Sequence, residues 1–155
     1  MIHEGRIKSA IALCQKYDSP VARLVEKGIE RIGRPLQDIQ TAVENMGNVE
    51  VARLEKGLPM LATIAGGAPM IGFLGTVSGM IQAFFRMSTA GNNIDITLLS
   101  GGIYEAMVTT VGGLFVGIIA YFGYNFLTSQ ISNLVFKMES TTIEFIDMLH
   151  EPAGR

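Results

Sequence analysis

Residues 58–85, LPMLATIAGGAPMIGFLGTVSGMIQAFF, contain no charged side chain. As a helix rising 1.5 Å per residue, this run would reach about 42 Å, beyond the roughly 30 Å hydrocarbon layer, so it spans a membrane with tilt or protrusion. Arg86 closes it, and MSTAGNNID, residues 87–95, reads as a polar turn rich in Gly and Asn. A second apolar segment runs from Ile96 to about Leu127, long enough for an interfacial approach and a complete span. The two segments are expected to form a helical hairpin. Hydrophobic residues make up 48% of the chain and the mean hydropathy is +0.35, with 18 glycines placed mostly in the apolar runs, as in membrane helices. The expected fold class is an all-α membrane protein, a long transmembrane helical hairpin with cytoplasmic helical extensions.

Charge divides the chain. Residues 1–57 hold nine of the twelve Lys and Arg and eight of the fourteen Asp and Glu. Arg31, Arg34, Arg53 and Lys56 precede the first span, whereas the connecting loop offers only Arg86, so the N-terminal segment should be cytoplasmic and the loop outside. The C-terminus then returns to the cytoplasm. Ile7, Ala10, Ile11 and Cys14 stand at helical spacing, Asp18-Ser19-Pro20 breaks the pattern, and Val21, Leu24, Val25, Ile29 and Ile32 resume it. A third helix begins near Pro35 and carries Leu36, Ile39, Val43 and Met46, its polar face continuing towards Arg53 and Lys56. After the second span, Leu127, Ile131, Leu134, Val135, Met138, Phe145 and Leu149 recur three or four apart, an amphipathic helix that continues the membrane helix. The expected division is therefore a cytoplasmic helical region (1–57), a transmembrane helix (58–86), a periplasmic loop and interfacial segment (87–103), a second transmembrane helix (104–127), and a cytoplasmic amphipathic helix and tail (128–155).

Several function classes lose support from composition. A net charge of -2 with no concentrated basic surface argues against nucleic acid. The single Cys14 allows neither an intrachain disulfide nor a thiolate cluster and reads as core filling, while His3 and His150 lie near opposite ends and read as ordinary exposed residues. GFLGTVSG lacks the Lys of a Walker motif, and no Ser/His/Asp or metal-ligating set appears, so neither an enzyme nor a cofactor is expected.

Glu105 is the only charged residue between Asp95 and Lys137. A carboxylate at mid-bilayer costs roughly 2.5 to 3.5 kcal/mol on insertion scales, so it should face a bundle interior, a partner or water, and ion movement is the default reading. The alternative is a charge at the membrane surface that ends the helix. Thr76 lies mid-span in the first segment, and Thr109 and Thr110 follow Glu105 by about a turn. Each hydroxyl can be satisfied on the carbonyl a turn earlier, or can join the carboxylate in a hydrated face. Glu105 and Thr109 share a face by four-residue spacing; Thr110 is rotated away and must face the same lumen through tilt, or another neighbour. Gly75 and Gly79 in the first span, and Gly113 and Gly117 in the second, with Ser78 and Gly112, make small-residue faces where backbones approach closely.

The strings GAPMIGFLGTVSGMIQAFF (67–85) and GGIYEAMVTTVGGLFVGIIAYFGYNFL (101–127) closely resemble the ExbB/TolQ/MotA proton-channel family, nearest to ExbB and then TolQ. The A-P-x-x-G-x-x-G-T-V-x-G string runs from Ala68 to Gly79, the E-A-[LM]-x-x-T-x-x-G pattern from Glu105 to Gly113, and EGRIKSAIALCQKYDSPVARLVEKGI is similar to the family's cytoplasmic region. The resemblance implies an inner-membrane motor subunit, assembled as a pentameric ring around a dimer of a single-span partner of ExbD, TolR or MotB type. Proton flow would be coupled to movement of that partner and, in the ExbB case, passed to a TonB-like transducer for outer-membrane transport. By motif match Glu105 is the family's membrane glutamate, and Thr76 and Thr110 the threonines of its second and third spans. One proton crossing 100 mV delivers about 2.3 kcal/mol, enough to bias a two-state element roughly fifty-fold. A passive membrane scaffold is the non-channel rival, and it tolerates neutral replacement of Glu105. The resemblance implies a further transmembrane helix before the cytoplasmic region, whereas here Met1 opens directly on that region; a fragment is expected, with a naturally shortened paralogue as the alternative.

Overall fold

The computed structural model describes residues 7–90 and 96–150; His3, Asp95 and part of the 87–95 turn lie outside them. The described residues form five helices: α1 (Ile7–Lys16), α2 (Pro20–Ile29), α3 (Leu36–Leu54), α4 (Leu58–Thr89) and α5 (Ile96–His150). They fall into two compact units. One holds residues up to Lys56 together with Ser129 onward, and the other holds Gly57–Thr128.

In the first unit α1, α2, α3 and the C-terminal part of α5 share a core of Ala10, Leu24, Ile29, Ile39, Val43, Met138 and Phe145. The helix boundaries have local causes. Ser19 sits in extended backbone and its hydroxyl accepts from the Ala22 N–H at 3.2 Å, while Pro20 opens α2 where its missing N–H costs nothing. Gly33 after α2 and Gly57 between α3 and α4 both have φ of 98°, the left-handed region that glycine reaches without a Cβ clash. Cys14 packs against the rim of this core, and burial, helped by the Glu26 carboxylate, pushes its thiol pKa up. That disfavours the thiolate and fits a packing role.

Within this unit one member of the polar face of α3 leaves solvent while Gln37, Asp38, Gln40, Glu44 and Asn48 stay exposed. Glu50 is 1% exposed. Arg23 on α2 donates to both of its carboxylate oxygens, Nε to Oε1 at 3.0 Å and Nη2 to Oε2 at 2.6 Å, and Arg53 adds a bond to Oε1 at 2.9 Å. Arg23 also pairs with Asp18. These bonds, the Arg23 pair first, hold the Glu50 carboxyl below the usual carboxylate range although burial pushes the other way.

The second unit is the hairpin of α4 and the N-terminal part of α5. At 32 residues, α4 is about 48 Å long and more than sufficient for a bilayer. Its apolar side chains point outward. In the most apolar stretches of the two long helices only 6% and 17% of residues are buried, so these are not core helices of a water-soluble fold. Met70, Ile71, Phe73, Leu74 and Ile81 on α4, with Val111, Phe115, Ile119 and Phe122 on α5, are all exposed. Surface of this extent and composition belongs against lipid or another protein.

Candidate functional site

The hairpin closes on small residues. A Cβ on Gly113 would lie 2.6 Å from the Ala68 carbonyl oxygen and 2.8 Å from the Gly72 Cα, and one on Gly79 would lie 2.8 Å from the Ala106 Cβ. Gly75 faces the Thr109 side chain, and Gly117 would meet the Pro69 ring at 2.5 Å. Gly75, Gly79, Gly113 and Gly117 therefore all lie on the seam between α4 and α5. Gly72 and Gly102 belong to it too, the latter against Ala83. Gly112 does not: a Cβ there meets nothing within 4 Å. A helix turns about 100° per residue, so adjacent glycines necessarily look in different directions.

Close approach of the backbones brings hydroxyls onto carbonyls of the opposite helix. Thr76 donates to the Ala106 carbonyl at 3.1 Å, Thr110 lies 3.2 Å from the Gly72 carbonyl, and the two hydroxyls meet each other. Thr109 donates to the Ala106 carbonyl of its own helix at 2.7 Å. The neighbour that Thr110 finds is thus Thr76 on α4. Pro69 lies inside α4, where its missing N–H removes one helix hydrogen bond, and Gly117 on α5 leaves room for its ring.

Glu105 is not in that hydroxyl cluster. It is exposed on the hairpin and lines an open pocket of about 230 Å³ together with Gly75, Ser78, Gly79, Gln82, Arg86 and Thr109. Thr109 alone among the three threonines borders this pocket, as its four-residue spacing from Glu105 requires. The arrangement sorts the four polar residues singled out in the sequence. Thr76 and Thr110 bind the helices to each other, Glu105 opens outward, and Thr109 touches both regions. Among the described residues no group of His, Cys, Asp and Glu is placed to hold a metal ion.

Sequence reasoning missed Gln82 and Arg86 as neighbours of Glu105. The available signal was their i, i+4 spacing with Ser78, which puts three polar side chains on one face of an otherwise apolar helix. It also missed Glu50, whose buried pairing is with a residue 27 positions away.

Comparison with known proteins places the chain. An ExbB homologue of Methanothermobacter thermautotrophicus is 31% identical over 138 residues, covering 89% of this chain and 48% of its own. The Tol-Pal system protein TolQ of Haemophilus influenzae is 36% identical over 106 residues, covering 68% of this chain and 46% of its own. The biopolymer transport protein ExbB of Xanthomonas campestris pv. campestris is 35% identical over 91 residues, 59% of this chain and 36% of its own. The chain thus spans about half the length of these relatives, or less. A sequence model of the MotA/TolQ/ExbB proton channel family matches residues 16–140, which include the hairpin, Glu105 and most of the helical bundle. With two long apolar helices and that match, this all-α membrane protein belongs to the MotA/TolQ/ExbB proton channel family.

Proposed function

We propose that this chain is an ExbB-like subunit of an inner-membrane proton-channel motor that couples proton-motive force to TonB-dependent outer-membrane transport. The observation that carries the reading is the outward position of Glu105. It is the only charge between Asp95 and Lys137, it lies in a helix long and apolar enough to span, and the hairpin leaves it exposed. A carboxylate exposed at that depth cannot be left against lipid tails. Water and protein must cover it, which is the condition for exchanging protons. In this reading residues 1–57 and 128–155 are cytoplasmic, 87–103 are periplasmic, and copies of the chain form a ring, a pentamer by resemblance, that encloses a single-span subunit of ExbD or TolR type. A TonB-like transducer receives the work. Glu105 exchanges protons with water or with a carboxylate of the single-span partner as that partner moves. Thr109 extends the polar face, and Thr76 and Thr110 hold α4 and α5 in register behind it.

A TolQ-like role in envelope maintenance is the second reading, favoured by the TolQ relative at 36% identity. Both assign Glu105 the same chemistry. The test is proton flux into liposomes holding the chain and an ExbD-like partner across a pH gradient. Glu105→Gln keeps size and hydrogen bonding and removes titration, so flux is expected to vanish. Flux retained in the variant would leave Glu105 a structural charge and favour a scaffold.

A further inference from the structure

The helix face opposite Glu105 is polar where a lipid-facing helix would be apolar. Ser78, Gln82 and Arg86 recur every four residues on α4, share one face, and line the same 230 Å³ pocket as Glu105 and Thr109. All three are exposed on the hairpin. A different face of the same helix carries Val77, Met80, Ile81, Phe84 and Phe85, an apolar groove suited to lipid or to protein packing. Helix α4 is therefore two-sided along the length facing Glu105. A primary amide or guanidinium set against hydrocarbon is strongly disfavoured, as any unpaired buried polar group is. Its placement in a pocket that already contains a carboxylate gives it a role there.

We propose that Ser78, Gln82 and Arg86 form a wet wall through which water reaches Glu105 from the Thr89 end of α4, with Gln82 as the residue that orients that water and Arg86 at the mouth. The assignment rests on the reading of Glu105 as the proton-exchanging group. The chemistry of the three side chains is graded to the task. Arg86 is permanently charged, donates only, and keeps the mouth hydrated. The Gln82 amide and the Ser78 hydroxyl each donate and accept, so both can sustain a hydrogen-bonded file of water. A proton then passes by hopping: the water next to Glu105 gives a proton to the carboxylate and takes one from the water behind it. No side chain of the wall needs to ionise. The Thr76 and Thr110 hydroxyls lie on the helix seam, bonded to carbonyls of the opposite helix.

Two measurements test the wall and separate its failure from that of the Glu105 assignment. The first reads hydration and needs no conduction. In a Cys14→Ser background reconstituted in liposomes, Gln82→Cys and Ser78→Cys are reacted with a small anionic methanethiosulfonate, with Ile81→Cys from the apolar face as reference. Reaction at Gln82→Cys and Ser78→Cys at least about tenfold faster than at Ile81→Cys is expected, the difference of about 1.4 kcal/mol that separates a wet from a dry position. Equal rates would overturn the wall whatever Glu105 does. The second is proton flux with the single-span partner. Gln82→Leu is expected to lower flux about tenfold, the equivalent of one lost hydrogen bond, and Gln82→Asn to restore most of it. Unchanged flux in Gln82→Leu, with the partner still co-purifying, would remove Gln82 from the route. Fast labelling combined with flux that survives Glu105→Gln would uphold the hydrated wall and overturn its connection to Glu105.

Discussion

Glu50 and Glu105 show how differently one residue type is used in this chain. Glu50 is 1% exposed and receives bonds from Arg23 and Arg53; Glu105 lies at the edge of an open pocket. For Glu50 the pairing has a definite dependence on pH. Its carboxyl pKa is lowered in the fold, chiefly by the Arg23 bonds, so the unfolded chain takes up a proton first as pH falls. The stabilisation is complete above the ordinary glutamate value of about 4.3 and is lost as pH drops through the lower folded value. Thermal unfolding of the helical bundle, followed by circular dichroism, should therefore weaken below about pH 4.3, and less so in Glu50→Gln. Arg23→Met removes the bidentate partner of a buried charge. An expected loss of about 2 kcal/mol at neutral pH allows for the partial exposure of Arg23, and Arg53→Met should cost less because its side chain is 64% exposed. A larger loss in Arg53→Met than in Arg23→Met would mean that Arg53, not Arg23, is the main partner of the carboxylate.

Helix boundaries and helix faces differed in how far the residues alone revealed them. The break before α2 was legible because Ser19 and Pro20 are a cap and a first-turn proline, both local signals, and α4 was legible because charge is absent over its apolar length. The Arg23–Glu50 pair was not, because on α3 Glu50 looks like any member of a polar face; only packing of α2 against α3 turns it inward. The same limit hid the grouping of Gln82 and Arg86 with Glu105, which depends on the antiparallel register of α4 against α5. It also hid which of two adjacent glycines is in contact. That distinction gives a sharp test. Gly113→Ala forces a methyl against the Ala68 carbonyl and the Gly72 Cα, both backbone atoms, and should destabilise the hairpin by about 2 kcal/mol. Gly112→Ala enters open space and should be neutral or slightly stabilising through helix propensity, by no more than about 1 kcal/mol. Melting of the two variants in detergent, read side by side, checks the register.

At the scale of the whole molecule, the two units call for different surroundings: one buries an ordinary core, and the other turns its large apolar side chains outward. The basic residues before α4 give the proposed topology a direction. In a Cys14→Ser background, Ser88→Cys should react with an impermeant maleimide in intact spheroplasts, whereas Tyr17→Cys should react only after the membrane is opened; both positions are exposed on the protein. The opposite pattern would invert the orientation. The seam between α4 and α5 also bears on heredity. Every missense change of a glycine codon adds a side chain, so Gly72 and Gly113, packed backbone to backbone, have no conservative neighbour in the genetic code. Gly66, Gly67 and Gly112, which face open space in this fold, can drift to alanine or serine with little steric consequence within the chain. A random mutational library should therefore divide the glycines of one hairpin into those that can vary and those that cannot.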